Sequence, residues 1–253
     1  MVSTRSSSSR AGSLGPDPPT SAGDTPSPPP SKAAVAVAKR RGPSSSSSGR
    51  RAAAWAHTPS PATLFWMAVS LPLVAWDTAY VLGRPHTMEG GAAHWPLWAP
   101  YKLYGEVDHV YGWKAWHARN GFTGAQALLN LVETVMYLVY LGLYYRRAVV
   151  VGPSSSLPGR PRVRAIRGRA GAVAVLVGFS AAVMTLSKTV LYWMNEYYSG
   201  FDNIGHNPFI ELVYLWIIPN GAWLVGSTYM IYSLGTDILD GLETASTTPV
   251  KQE

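Results

Sequence analysis

The stretch AGAVAVLVGFSAAVMTLS, residues 170–187, runs for eighteen residues without a charge. A helix on the surface of a soluble protein shows a polar stripe toward water, and this stretch has none. At about 1.5 Å per residue, a helix of about 20 residues crosses the roughly 30 Å of hydrocarbon in a bilayer. The stretch therefore predicts a membrane-spanning helix and argues against the alternative, a soluble bundle with apolar core helices.

The rest of the apolar sequence falls into blocks of similar length. Counting the first stretch, four blocks lie at about 63–83, 123–145, 170–193 and 209–234. We predict an all-α integral membrane protein, a four-transmembrane-helix bundle within residues 59–238, followed by a short C-terminal tail, 239–253. The Ser-, Pro- and Arg-rich segment 1–58 cannot bury enough apolar surface to offset its chain entropy, so we expect it to be a disordered tail.

The basic residues are clustered, which predicts an orientation. Of the 21 Lys and Arg in a chain of net charge +7, eight lie in residues 1–51 and seven in residues 146–169, a segment with no acid. Clusters of this kind stay on the cytoplasmic side of a membrane. We therefore expect both termini in the cytosol, an aromatic lumenal loop at 84–122, and no nucleic-acid partner. The basic start leaves two alternatives open, a mitochondrial transit peptide and a nuclear signal.

Four polar residues interrupt the apolar blocks: Asp77, Glu133, Lys188 and Asn220. Counted along their helices, all four fall in the middle-to-outer half of the bilayer, within roughly 15 Å of its outer edge. Charged residues inside spans are costly and normally face the bundle interior. The spacing predicts one polar pocket that opens toward the outer side. The alternative is that these residues only hold the helices together.

Aromatic residues surround the predicted pocket. Aromatic faces stabilise cations, so carboxylates ringed by Trp and Tyr suit a cationic amine or a carbocation on an apolar skeleton. In the loop HWPLWAPYKLYGEVDHVYGWKAWHARNGFTG, residues 94–124, the residues Tyr104, Asp108 and Tyr111 have helical spacing. We predict a short interfacial helix that covers the pocket mouth and carries these three residues on one face.

Several motifs, in order along the chain, resemble the emopamil-binding proteins and their relatives with a four-helix EXPERA domain. The stretch LYWMNEYYSGFDNIGHNPFIELVYLWIIPNGAW, residues 191–223, is similar to that family's third-to-fourth helix signature. The stretch NLVETVMYL, residues 130–138, resembles its second-helix motif, and the loop matches its Tyr-x3-Asp-x2-Tyr pattern. The resemblance covers roughly residues 63–235, and its main elements are Tyr104, Asp108, Tyr111, Glu133, Tyr192, Glu196, Asn220 and Trp223.

This resemblance implies a sterol double-bond isomerase of the endoplasmic reticulum that works through a carbocation. Asp77 and Glu133 would be the catalytic acid and base, and the matching motif residues would line the substrate site. Lys188, which its depth in the third helix places in the same pocket, is a further candidate for that site. The chain departs from the isomerases at Leu73, where they carry a His, at Met136, where they carry a Thr, and at Asp77, where they carry a Glu. An Asp there is typical of the non-isomerising, sigma-receptor-like relatives.

Three hypotheses remain open on this sequence: an isomerase, a non-catalytic receptor for sterols or lipophilic amines, and a purely structural membrane protein. The expected partners are a sterol or other lipid ligand and the membrane lipids, and a homodimer stays open. With no cysteine, and with histidines that lack metal-ligand spacing, the sequence predicts neither a metal site nor a cofactor.

Overall fold

The structure, a computed structural model, describes residues 55–151 and 163–247, all within the unit Gly49–Glu253. Four long helices dominate this part of the chain. Each is long and apolar enough to cross a membrane, as the four apolar blocks predict. They are α1 (Pro61–Leu82), α4 (Phe122–Arg147), α5 (Gly168–Tyr198) and the segment Phe209–Thr247, which comprises α6 (Phe209–Leu212), a π-helical turn (Val213–Ile217) and α7 (Ile218–Thr247).

The apolar stretch 170–187 forms most of α5, the helix at the centre of the bundle. It packs along both α4 and α7, whereas α1 packs mainly along α4. Ala174, Gly178 and Ala182 recur every four residues and are buried. Small residues at this spacing let helices approach closely inside membranes. At Gly178 an added Cβ would lie 3.0 Å from the Tyr140 ring, so the absence of a side chain at this position favours the close packing of α5 against α4.

The outward faces of the long helices carry apolar side chains. Leu128, Leu138, Leu176 and Val225 are each more than half exposed. Large exposed apolar surfaces are rare on soluble monomers. Their distribution over the long helices matches a bundle that lies in lipid.

A small sheet, which the all-α prediction did not include, lies where α1 and α5 begin and α4 ends. Strands β1 (Ala56–His57), β2 (Val149–Val151) and β3 (Val163–Arg167) pair antiparallel in the order β1-β3-β2. The class is therefore mainly helical with a three-stranded sheet. The strands are too short to produce an alternating pattern that could be recognised in the sequence.

The sheet end is joined to the helices by a buried histidine. His57 Nδ1 lies 2.5 Å from Asp237 Oδ2 of α7, and its Nε2 lies 2.8 Å from the Tyr140 hydroxyl of α4. The fold therefore begins before the predicted boundary at 58, while the predicted disorder of residues 1–54 lies outside the described residues. At the other end of the chain α7 continues to Thr247, so most of the predicted tail 239–253 is helical.

The opposite end of the bundle carries two loops. The first, between α1 and α4, contains α2 (Pro100–Val107) and α3 (Trp113–His117). Tyr80 and Arg84 fasten it by donating hydrogen bonds to the carbonyls of Tyr111 and Val110. The second loop, 199–208, docks onto the first, where Asn207 donates to the Val107 carbonyl at 2.7 Å.

The crossing of α1 and α7 gives a first testable prediction. A Cβ added at Gly226 would lie 2.3 Å from the Trp66 ring. We expect Gly226→Ala to lower the free energy of unfolding by about 1–3 kcal/mol, because the ring has to move out of a packed interface. The measurement is the Tm of the purified protein in detergent.

Gly221→Ala is the matched control on the same helix, because its Cβ position has no neighbouring atom within 4 Å apart from the adjoining backbone of its own helix. Alanine there is expected to be neutral or to stabilise by up to about 1 kcal/mol. Equal Tm values for the two variants would contradict the close crossing.

Candidate functional site

A central cavity of about 490 Å³ lies among the four long helices. Its lining comes from α1, α4, α5, the π-helical turn and α7, and α2 together with Tyr111 borders it at the loop end. Its volume falls within the range of about 300–1,000 Å³ that is typical of small-molecule sites.

Three helices contribute to a continuous chain of polar side chains along the cavity wall. Lys188 of α5 lies 2.9 Å from Glu133 of α4 and also donates to the side-chain oxygen of Asn130. The amide nitrogen of Asn130 in turn donates to Asp77 of α1 at 3.4 Å. Because an ammonium group can only donate, it fixes the orientation of the Asn130 amide and turns the NH2 toward Asp77. The two acids therefore contact opposite ends of one hydrogen-bonded chain.

Asp77 accepts two further hydrogen bonds from the loop that covers the cavity. The hydroxyls of Tyr101 and Tyr111 donate to it at 2.7 and 3.4 Å. Burial raises the pKa of both tyrosines above its usual range, and the neighbouring Asp77 adds to this. Both hydroxyls remain protonated donors. Together with the Asn130 amide they give Asp77 three hydrogen-bond donors, an arrangement that suits a carboxylate.

Glu133 is buried, and its two oxygens differ. One accepts from Lys188 and from the Thr185 hydroxyl at 2.9 Å. The other has no hydrogen-bond partner among the described residues, and the same holds for Oε1 of Gln126, which also lines the cavity. Buried polar atoms normally have partners, so these two oxygens are candidates for contact with a ligand or water.

The π-helical turn shapes a further part of the cavity wall. Pro219 has no N–H, so the regular hydrogen bond from this position is lost. Asn220 donates its side-chain amide to the Trp216 carbonyl at 2.8 Å and stabilises the distortion. Such π-bulges occur frequently at functional sites. Here the turn brings Tyr214 and Leu215 to the cavity.

Aromatic rings cover much of the remaining surface. Trp66 and Trp223 meet edge to face, with centroids 5.1 Å apart, and Tyr104 and Tyr111 do so at 4.9 Å. The rings that line the cavity are Trp66, Trp76, Tyr101, Tyr104, Tyr111, Tyr137, Tyr192, Tyr214 and Trp223. This composition can hold a cation or an apolar ring system.

The structure brings eight of the ten predicted site residues to the central cavity. These are Asp77, Tyr104, Tyr111, Glu133, Lys188, Tyr192, Asn220 and Trp223. The other two, Asp108 and Glu196, do not line it. The predicted single helix face is also wrong, because α2 ends at Val107 and Tyr111 lies beyond it.

Asp108 is fully buried behind the cavity wall, where it positions aromatic residues. It accepts from the Tyr192 hydroxyl, from Trp216 Nε1 at 2.8 Å and from the Val110 N–H at 3.1 Å. Burial is the main cause that raises its pKa from 3.8 to about 6, despite these three donors.

Asp108→Asn gives a second prediction. An amide has one oxygen, so at least one of the three donors is left without an acceptor, and we expect a loss of about 1–3 kcal/mol of stability. The folded protein holds the Asp108 proton more tightly than the unfolded chain does. This group therefore lowers the free energy of unfolding as pH rises from about 4 to about 6.

The difference in stability between the wild type and Asp108→Asn should therefore shrink over that pH range. Unfolding of both proteins at a series of pH values measures it. A difference that grows with pH would contradict the burial of a proton-binding carboxyl.

Glu196 holds the second loop together. It is fully buried and accepts from the side chains of Asn203 at 2.8 Å and Asn195 at 3.2 Å. Its carbonyl also accepts from the Phe201 N–H. The residue thus stabilises the turn that docks onto the first loop.

Sequence reasoning missed two residues that organise the cavity. Asn130 precedes Glu133 by three residues on α4, and Tyr101 precedes Tyr104 by three on α2. Both spacings lie on one helix face, which was the available signal. In contrast, no histidine of the described ranges lines the cavity.

The fold and the cavity define a helical protein of membrane-spanning dimensions with an internal polar and aromatic site. Comparison with family models, with curated protein sequences and with solved structures finds no match for this chain. The resemblance to the emopamil-binding and EXPERA family therefore stays a prediction.

Proposed function

We propose that this protein is a membrane receptor or carrier that binds an apolar, sterol-sized ligand carrying a cationic amine. The observation that supports it most directly is the joint lining of one cavity by Asp77, by the Glu133–Lys188 pair and by nine aromatic rings. Charged groups inside spans are costly, and those that persist generally mark ligand or ion sites.

The electrostatics of the cavity favour a cation. Two carboxylates and one ammonium give the wall a formal charge of one negative unit, and Lys188 compensates Glu133. In this formal count Asp77 is the acid without a compensating cation, and it lies next to Trp76 and Tyr101. A ligand ammonium at this place would gain an ionic partner and aromatic faces together.

The ligand would enter from the bilayer. Leu73, Leu103 and Tyr214 line the cavity, yet they are 49, 54 and 65% exposed at the outer surface of the bundle. This combination marks an opening beside α1, α2 and the π-helical turn. Apolar residues at the opening suit a ligand that partitions into lipid first.

A binding experiment tests the proposal. Membranes that contain the expressed protein should bind a radiolabelled lipophilic amine saturably, and an excess of unlabelled amine should displace it. Membranes with the same amount of Trp223→Ala protein should bind it more weakly, because the edge-to-face Trp pair is lost. Equal, non-saturable uptake by membranes with and without the protein would overturn the proposal.

A second candidate function is sterol double-bond isomerisation. It is favoured by the position of Asp77 and Glu133 on the same cavity as Asn220 and Trp223. One of the two acids, in its protonated form, could add its proton to an alkene, and the other, as a carboxylate, could remove a proton from a neighbouring carbon. The ion pair between Glu133 and Lys188 weakens this candidate, because it leaves the glutamate less available as a base. Complementation of a sterol-isomerase-deficient yeast strain, with sterols identified by mass spectrometry, decides between the two.

We further propose that the protein resides in the endoplasmic reticulum with its sheet end in the cytosol. The described part of that end carries Arg146, Arg147, Arg164, Arg167 and Arg169, as the positive-inside rule expects. The chain has no cysteine, so single cysteines at positions 89 and 147 can be labelled with a membrane-impermeant reagent in sealed vesicles. If a reagent on the cytosolic side labels the cysteine at position 147 and not the one at position 89, the result supports this orientation. Labelling of position 89 and not of position 147 overturns it.

A further inference from the structure

Lys188 is a cation that the chain itself places between the two acids of the central cavity. Its Nζ lies 2.9 Å from Glu133 Oε2 and donates to Asn130 Oδ1. Only 11% of its side chain is exposed, and it lines the cavity. The ammonium group therefore occupies the place beside Glu133 Oε2 where a ligand cation would otherwise bind.

The site is thus divided into two carboxylate subsites with different partners. Asp77 is surrounded by neutral donors, the hydroxyls of Tyr101 and Tyr111 and the amide of Asn130. Glu133 is paired with a full positive charge. Since Asn130 contacts both Lys188 and Asp77, the two subsites are separated by a single amide group.

We propose that Lys188 is a built-in counter-ion that fills the Glu133 subsite, so that the cavity selects ligands with one ammonium group and rejects diamines. The inference rests on the proposed function and adds a specificity-determining residue to it. A second ligand ammonium would meet the like charge of Lys188 inside the cavity, which is unfavourable. With Lys188 removed, the same cavity carries two uncompensated carboxylates and should favour a diamine.

The experiment compares a lipophilic monoamine with diamines built on the same apolar skeleton, with increasing methylene spacing between the two nitrogens. Affinities are measured for the wild type, Lys188→Met and the double variant Lys188→Met/Glu133→Gln. The double variant removes both charges of the pair and keeps Asp77. The double variant therefore lacks the lysine side chain but, unlike Lys188→Met, leaves no unpaired carboxylate at position 133, and this makes it the matched control.

The wild type and the double variant are expected to bind the monoamine at least as tightly as any diamine. Lys188→Met should prefer one of the diamines over the monoamine by about tenfold or more, the lower end of the coupling measured for close charge pairs. Where Lys188→Met does not fold alone, its recovery in folded form with the diamine, but not with the monoamine, supports the inference.

Three results would overturn the inference. The first is a wild type that already prefers a diamine over the monoamine, and the second is an equal ratio of diamine to monoamine affinity in Lys188→Met and in the double variant. The third is a Lys188→Met protein that no diamine stabilises. Tighter wild-type binding of a lipophilic carboxylate than of the monoamine would also do so, because it would identify Lys188 as an anion receptor. The proposed function survives the first three results as long as the wild type binds an amine. The proposed function fails, together with the inference, if neither the wild type nor any variant binds the monoamine or a diamine.

Discussion

Lys188→Met is expected to lower the free energy of unfolding by about 3–5 kcal/mol, the largest effect on stability expected from any single change in the cavity. The variant leaves Glu133 buried without its cation, and a buried uncompensated charge is strongly destabilising. Thermal or denaturant unfolding in detergent micelles measures the loss.

The double variant Lys188→Met/Glu133→Gln is expected to recover most of this stability. It removes both charges, and the glutamine oxygen can still accept from the Thr185 hydroxyl. Replacement of a whole buried ion pair by neutral groups is often neutral or stabilising. If the single and the double variants lose the same amount, the ion pair does not form in the folded protein.

Asp77→Asn is expected to weaken the binding of a lipophilic monoamine by about 2–5 kcal/mol, or roughly thirtyfold to a few thousandfold. The substitution keeps the size of the side chain and removes the uncompensated charge of the cavity. Saturation binding in membranes measures the change, with the amount of folded protein determined in parallel.

Two variants control for indirect effects. Glu106→Gln removes an acid from the exposed surface of the first loop and should leave the affinity unchanged. Asp77→Glu keeps the charge and should retain a larger share of the binding than Asp77→Asn. An Asp77→Asn protein with wild-type affinity would show that the ligand cation binds elsewhere.

The sequence predicts the long helices well because lipid imposes one simple requirement on them. A span has to be apolar over about 30 Å, and this shows in composition alone. Depth counting also brings Asp77, Glu133, Lys188 and Asn220 into one region, since rise per residue is constant in a helix. The fourth helix exceeds its predicted end at 234 because the last turns up to Thr247 lie beyond the apolar block.

The partners of individual side chains could not be predicted, because they depend on helix rotation and on loop conformation. Asp108 has helical spacing with Tyr104 and Tyr111, yet α2 ends one residue before it. The carboxylate of Asp108 accepts a hydrogen bond from Trp216 instead of facing the cavity. The small sheet depends on pairing between segments far apart in sequence, such as Ala56 with Arg167. That Lys188 pairs with Glu133 and not with Asp77 depends on the register of α4 against α5, which the sequence does not show.

The central claim is that polar residues from separate helices face one ligand-accessible cavity, and cysteine accessibility tests it most directly. The chain has no native cysteine, so Thr134→Cys, at the cavity, and Val135→Cys, on the outward face of the same turn, form a matched pair. In membranes a small water-soluble thiol reagent should modify position 134 and not position 135, and a bound lipophilic amine should slow the reaction at 134. A cysteine at 134 that is unreactive, or that reacts at the same rate with and without the amine, would contradict the cavity as described.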